Sequence, residues 1–268
     1  MGRLQNKIAI ITGGSGGIGF ASAKLFVKEG AKVLLVDINK EALKECIAEI
    51  GEGCSYEVAD VSVEEQVNNY TKTAIDRYGK KDIVLLNAGI EGPVKPLVAY
   101  TVEEFDKLMG INLRGAWLGI KAAVPQMINT GGGSITITSS IAGFQGSAGM
   151  GPYSTSKHAL IGLMRSAALE YAEFGIRINT VHPGFTETRM MRSLEAGYSS
   201  LSDNLGIKRS PDEVKQSIES TIPVKRYTGP EEIANLFLFL SSDDAKYITG
   251  SCHTVDGGWS AGRVSASN

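Results

Sequence analysis

The 268-residue sequence predicts a doubly wound α/β fold: a parallel seven-stranded sheet with helices on both faces. Three observations carry that prediction. Short β-branched runs alternate with longer amphipathic segments almost from end to end, the order of strand, crossover helix and parallel strand. The runs themselves, such as KIAIIT at 7–12 and AKVLLVD at 31–37, show almost no polar alternation, so both of their faces must be covered. No linker or composition shift divides the chain, which places residues 1–268 in one domain.

In order, 7–12 reads as a buried strand and GGIGFASAKLFVKEG as the helix behind it. Residues 31–37 are strand, KEALKECIAEI (40–50) helix, SYEVAD (55–60) a short strand and EEQVNNYTKTAIDRYG (64–79) helix. KDIVLLNAG (81–89) is strand and turn. Residues 101–127 are expected to form one long helix, with Thr101 ahead of Glu103 and Glu104 at its start. GSITITSS (133–140) is strand, 156–175 helix and IRINTVHPG (176–184) strand into loop. PEEIANLFLFLSS (230–242) is helical with Pro230 at its start, and SCHTVDGG (251–258) is the seventh strand. Residues 186–224 break the rhythm. They are long, mixed and rich in Ser, which suggests a partly helical lid.

The first strand runs into TGGSGGIG, 12–19. Gly14, Gly16 and Gly19 fit G-x-G-x-x-G, while Gly13, Gly17 and Gly19 fit T-G-x-x-x-G-x-G, and spacing does not choose between them. Either way the glycines permit a tight turn, let backbone approach a pyrophosphate and aim a helix N-terminus at it. The loop follows a buried strand, opens a helix and precedes an acid at the end of the second strand, which together indicate dinucleotide binding. That acid, Asp37, comes 18 residues after Gly19. A carboxylate there accepts hydrogen bonds from a ribose diol and repels a 2′-phosphate. Two unit charges about 4 Å apart near a surface interact by roughly 4 kcal/mol, and half of that still discriminates more than tenfold. Ser15 and Ile38 offer no cation in compensation, so NAD is the expected cofactor.

Composition excludes other classes. Formal net charge is -2, with no block of like charges suited to nucleic acid. No apolar run approaches a membrane span, and the N-terminus lacks a signal-peptide pattern. Cys46, Cys54 and Cys252 are odd in number and unpaired in spacing, as expected of free thiols in a cytoplasmic protein. Neither they nor His158, His182 and His253 form a metal pattern, and the histidines are assigned to structure.

PYSTSKHAL (152–160) sets Tyr153 and Lys157 at i and i+4, where helical side chains meet. Taken with TGGSGGIG, Asp60 in VADV, NAG at 87–89, Ser140 thirteen residues before Tyr153, PGFTET at 183–188 and YITGSCHTVDGG at 247–258, the chain resembles the short-chain dehydrogenase/reductase family over about residues 5–260. The resemblance implies a single-domain Rossmann fold, a homotetramer and hydride transfer between a nicotinamide and a small-molecule alcohol or ketone. It makes Tyr153 the proton acid/base and assigns Lys157 to the nicotinamide ribose and the tyrosine's pKa. Ser140 would hold the substrate oxygen, and Asn112 a water chain behind the lysine. Cofactor contacts would come from Gly13, Ser15, Gly16, Gly17, Ile18 and Gly19, then Asp37, Ile38, Asp60 and Val61. Asn87, Ala88, Gly89, Pro183, Gly184, Thr186 and Thr188 would complete them beside Tyr153 and Lys157. One place departs from the family pattern: Leu86 stands where a first asparagine is common.

The chemistry is reasonable on general grounds. A phenol of pKa about 10 is roughly one part in a thousand ionised at pH 7. A neighbouring ammonium and the positive oxidised nicotinamide can together supply the shift of about 2–3 units that a working base needs. The expected substrate is a small or cyclic alcohol, ketone or polyol. A 3-oxoacyl thioester reductase and a non-catalytic NAD sensor are the alternatives. Specificity is assigned to 90–100, 141–151 and the lid, with Met190 and Met191 as its adaptable lining.

Overall fold

The computed structural model describes residues 2–204 and 206–262. Residue 205, within the expected lid, and residues 1 and 263–268 lie outside the described residues. Seven strands form one parallel sheet: β1 (Ile8–Thr12), β2 (Lys32–Asp37), β3 (Cys54–Val58), β4 (Ile83–Leu86), β5 (Gly133–Thr138), β6 (Ile176–Pro183) and β7 (Cys252–Val255), in the order β3-β2-β1-β4-β5-β6-β7. The winding reverses between β1 and β4, so a crevice opens where their C-terminal ends diverge.

Successive residues of each strand point to opposite faces, and each face buries its own core. Ile10, Leu34, Val84 and Ile135 pack with residues of α3 (Glu64–Tyr78), α5 (Gly115–Asn129) and α6 (Gly151–Tyr171). Ile11, Leu35, Ile83 and Leu85 pack with α1 (Gly17–Lys28), α2 (Lys40–Ile50) and α9 (Pro230–Ser241). All of these strand residues are essentially inaccessible, which is why the sequence shows no polar alternation. Leu86 joins the first cluster, so the residue that departs from the family pattern fills apolar space.

The expected single helix over 101–127 is interrupted. α4 (Val102–Met109) starts in a capping box: Glu104 N–H donates to Thr101 Oγ1 (3.2 Å) and Thr101 N–H to Glu104 Oε2 (2.9 Å). One wider π turn, Gly110–Arg114, then separates it from α5. α6 begins at Gly151 rather than at 156, with Pro152 in its first turn, which brings Tyr153 inside the helix. After β6 come α7 (Arg189–Asn204) and α8 (Pro211–Thr221).

Candidate active site

A cavity of about 1160 Å³ lies over the C-terminal ends of β1, β2, β4, β5 and β6, walled on its outer side by α7 and α8. Among the residues expected to meet cofactor or substrate, all border it except Gly19 and Asn112. A side chain at Gly19 would place its Cβ 2.2 Å from the Gly13 carbonyl oxygen, so this glycine lets α1 close onto the turn. Gly13 itself sits at φ +62°, and a Cβ there would lie 2.9 Å from Ala88 Cα.

The loop is braced from beneath. Thr12 Oγ1 accepts from the backbone N–H groups of Asn87 (3.0 Å) and Ala88 (3.1 Å). Asn87 Nδ2 donates to the carbonyls of Thr12 and Gly13, and Thr138 Oγ1 donates to Asn87 Oδ1 (3.0 Å). The Asn87 side chain is thus a strut tying the ends of β1, β4 and β5 together. Asp37 Oδ2 accepts from Ser15 N–H (3.2 Å) and Ser15 Oγ (2.7 Å), which fixes the carboxylate at the mouth of the glycine turn. Ile38, the residue after the acid, is 71% exposed and borders the cavity with an apolar side chain.

At the other end, α6 brings Tyr153 and Lys157 together on one face, with the Lys157 Nζ 5.5 Å from the centre of the tyrosine ring. Lys157 Nζ donates to the Thr138 carbonyl (2.9 Å), and Ser139 Oγ donates to the Lys157 carbonyl (2.9 Å), so the end of β5 holds this helix in place. Ser140 Oγ accepts from Ala142 N–H (3.1 Å) at the turn after β5. Asn112 is buried within the π turn. It accepts from Ile90 N–H (2.8 Å) and donates to the Ile90 carbonyl (2.9 Å) and to Ser156 Oγ (3.1 Å). Its side chain clamps the loop after β4, a contact the sequence pattern does not announce.

Burial dominates the electrostatics. It pushes the Tyr153 phenol up to about 12, against the lowering influence of the Ser140 hydroxyl, and pushes Lys157 down to about 8. Burial thus works against the lowering expected from Lys157 together with an oxidised nicotinamide. His182 is fully buried and pushed down to about 4 by desolvation, so it stays neutral at ordinary pH. Its Nδ1 meets the Ser140 carbonyl (2.8 Å) and its Nε2 meets Thr180 Oγ1 (2.8 Å), with its ring stacked on Phe144. A carbonyl can only accept, so Nδ1 carries the proton and Thr180 donates to Nε2. Its bonding is structural, as expected, but it braces the backbone of a site residue. His158 bonds the Ser154 carbonyl within its own helix. Among the described residues no group of His, Cys, Asp or Glu could hold a metal ion, and no helix is long and apolar enough to cross a membrane.

A family model described as "Enoyl-(Acyl carrier protein) reductase" matches residues 13–260. Levodione reductase of Leifsonia aquatica is 37% identical over 267 residues, covering 97% of this chain and 96% of its own. The chain belongs to the short-chain dehydrogenase/reductase family. As a short-chain dehydrogenase/reductase it is an oxidoreductase of the alcohol dehydrogenase and ketone reductase kind. A 3-oxoacyl-[acyl-carrier-protein] reductase of Thermotoga maritima is 35% identical, covering 96% of this chain and 98% of the relative. The crystal structure of NAD+-bound xylitol dehydrogenase superposes with a TM-score of 0.91 at 32% identity, covering 95% of this chain and 99% of that one.

Proposed function

We propose that this enzyme transfers a hydride between NAD(H) and the carbinol carbon of a compact secondary alcohol or polyol, with Tyr153 as the proton acid/base. The observation that carries the reading is the meeting, in one cavity, of the braced glycine turn, the Asp37 carboxylate and the Ser140–Tyr153–Lys157 group. The turn suits a dinucleotide: Gly13, Gly16 and Gly17 border the cavity with bare backbone, and the turn opens the N-terminus of α1. Bound there, the cofactor supplies the hydride acceptor and a positive ring.

The residues around it divide the remaining work. Asp37 accepts hydrogen bonds from the adenosine ribose and disfavours a 2′-phosphate. Lys157, already held by the Thr138 carbonyl, directs its remaining protons to the nicotinamide ribose. Ser140 and Tyr153 hold the substrate oxygen, and Tyr153 takes the carbinol proton in oxidation and returns it in reduction. Since burial, with the Glu91 carboxylate adding to it, raises the phenol to about 12, a positive charge beside the phenol has to bring it into working range. α7 and α8 serve as the lid of a single domain, α7 carrying Met190, Met191 and Leu194 and α8 carrying Val214 and Ile218 over the cavity. The enzyme is read as a cytoplasmic homotetramer: the free thiols of Cys46, Cys54 and Cys252 suit a reducing compartment, and exposed Val102, Trp117 and Leu169 on α4, α5 and α6 suit contact with further copies.

The likeness to an acyl-carrier-protein reductase keeps a thioester substrate as a second reading. Absorbance at 340 nm with NAD and a panel of secondary alcohols at alkaline pH, beside NADPH with a 3-oxoacyl thioester, separates them. NADH formation from an alcohol is the expected result. Turnover of the thioester alone would favour the second reading, and NAD binding without turnover of any substrate would make the protein a sensor.

A further inference from the structure

We propose that Glu91 is a specificity-determining residue that accepts a hydrogen bond from a second hydroxyl of the substrate, so that diols and polyols are preferred to simple alcohols. This rests on the reading above that Ser140 and Tyr153 hold the reacting oxygen. Glu91 borders the same cavity as those two residues.

The backbone on both sides of Glu91 is fixed. Ile90 has its N–H and its carbonyl both bonded by Asn112, at 2.8 and 2.9 Å. Gly92 holds φ +69°, and a Cβ there would lie 2.9 Å from Leu108 Cδ1. Leu108 and Ile90 pack in the same small apolar cluster as Tyr153, so the loop and the tyrosine share one support. The carboxylate itself has no partner: among the described residues no donor bonds it and no cation pairs with it. Glu104 of the neighbouring helix is by contrast paired with Lys95 at 2.5 Å. Lys107, Arg189 and Arg209 also border the cavity, yet none of them pairs with Glu91.

The facing loop adds further polar groups. Lys95 N–H donates to the Gly149 carbonyl (3.0 Å) and the Tyr100 hydroxyl donates to the same oxygen (3.2 Å), which ties the loop after Glu91 to the loop before α6. That second loop presents Gln145 and Ser147 to the cavity. A substrate that excludes water from this end leaves the Glu91 carboxylate without a donor unless it brings one. A site built around such an acceptor rejects the analogue lacking the hydroxyl. Glu91 also adds to the upward push on the Tyr153 pKa, as its proximity to the phenol requires.

The test is binding rather than turnover. Dissociation constants of trans-cyclohexane-1,2-diol and cyclohexanol are measured on the NADH-saturated protein by the change in NADH fluorescence. The wild type is expected to hold the diol about tenfold more tightly than the mono-alcohol, the worth of one hydrogen bond to a charged group. Glu91→Ala is expected to erase that preference, and Glu91→Gln, which keeps an acceptor oxygen, to retain part of it. Equal affinity for the two alcohols in the wild type, or a preference unchanged in Glu91→Ala, would overturn the proposal. Alcohol oxidation in the 340 nm assay with no diol preference sinks this inference alone, whereas absence of both alcohol binding and turnover sinks it together with the proposed activity.

Discussion

The two edges of the sheet each bury a lysine, and both lysines are pushed down to about 8 by desolvation, yet their surroundings are opposite. At the C-terminal edge Lys157 donates to the Thr138 carbonyl, lies against the Tyr153 ring and borders the cavity. At the N-terminal edge Lys81, 1% exposed ahead of β4, meets no acceptor among the described residues. The polar groups around that edge are occupied with one another. Asp82 accepts from Ile8 N–H (2.8 Å), Ser134 Oγ donates to the Leu240 carbonyl (3.0 Å), and Arg177 donates to the same carbonyl (2.7 Å). A depressed lysine pKa therefore does not mark a site by itself. What marks one is a shifted group beside hydroxyls and carboxylates whose remaining lone pairs face open space.

The largest expected effect lies at the functional edge. Tyr153→Phe removes the phenol and leaves the ring packing, so kcat for alcohol oxidation should fall about 10³-fold while NADH affinity, read by fluorescence, stays within about twofold. Comparable turnover in the variant would end the assignment of Tyr153. The pH profile sharpens the same point. Oxidation needs the phenolate, so kcat/KM should climb from about pH 6 towards about pH 10, and ketone reduction, which needs the protonated phenol, should fall over that range. A flat oxidation profile would remove the phenol from the proton path.

The structural edge gives the next largest effect, and with the opposite sign for stability. Lys81→Met replaces a largely desolvated amine, with no acceptor among the described residues, by an apolar chain of similar length. It should stabilise the fold on the order of 1–3 kcal/mol at neutral pH and leave turnover unchanged. The sign follows from proton counts. The folded-state pKa of about 8 lies below the ordinary 10.5, so between those values the unfolded chain binds more protons and stability rises with pH. Below about 8 the full penalty is present, so the advantage of Met is greatest there and vanishes above about 10.5. Urea denaturation at several pH values measures it. A variant less stable than wild type at neutral pH would mean that Lys81 finds a partner after all.

Much of this contrast was legible in the sequence, and the part that was not has a physical cause. The strands announce themselves because burial on both faces removes alternation, and Asp37 stands out because it ends such a run. The break in the 101–127 helix does not, since Gly110–Arg114 has a composition that an α-helix also tolerates. It is decided by tertiary bonds: the π turn carries Asn112 to both backbone groups of Ile90. Glu91 was missed for the same reason. A lone acid in a loop reads as solvated until its neighbours are seen to leave it unpaired beside Tyr153. Helix α6 starts five residues before the expected 156 because Gly151 and Pro152, a turn signal in sequence, here occupy its first turn.

The smallest predicted effect tests whether Asp37 acts through charge or through shape. Its carboxylate accepts two hydrogen bonds from Ser15 and borders the cavity, so an Asp37→Asn side chain keeps the volume and one acceptor oxygen while losing the charge. If repulsion of a 2′-phosphate is the main term, the ratio of NADPH to NADH dissociation constants should drop about tenfold in Asp37→Asn, chiefly because NADPH binds better. NADH affinity should fall much less, since the amide oxygen still accepts from the ribose. Raising the salt concentration should shrink the wild-type ratio in the same direction, because this acid sits at a solvent-facing mouth where screening is effective. A ratio unmoved by both the substitution and the salt would show that the pocket's shape, not the Asp37 charge, makes the choice. A wild type that prefers NADPH would reject the charge argument outright.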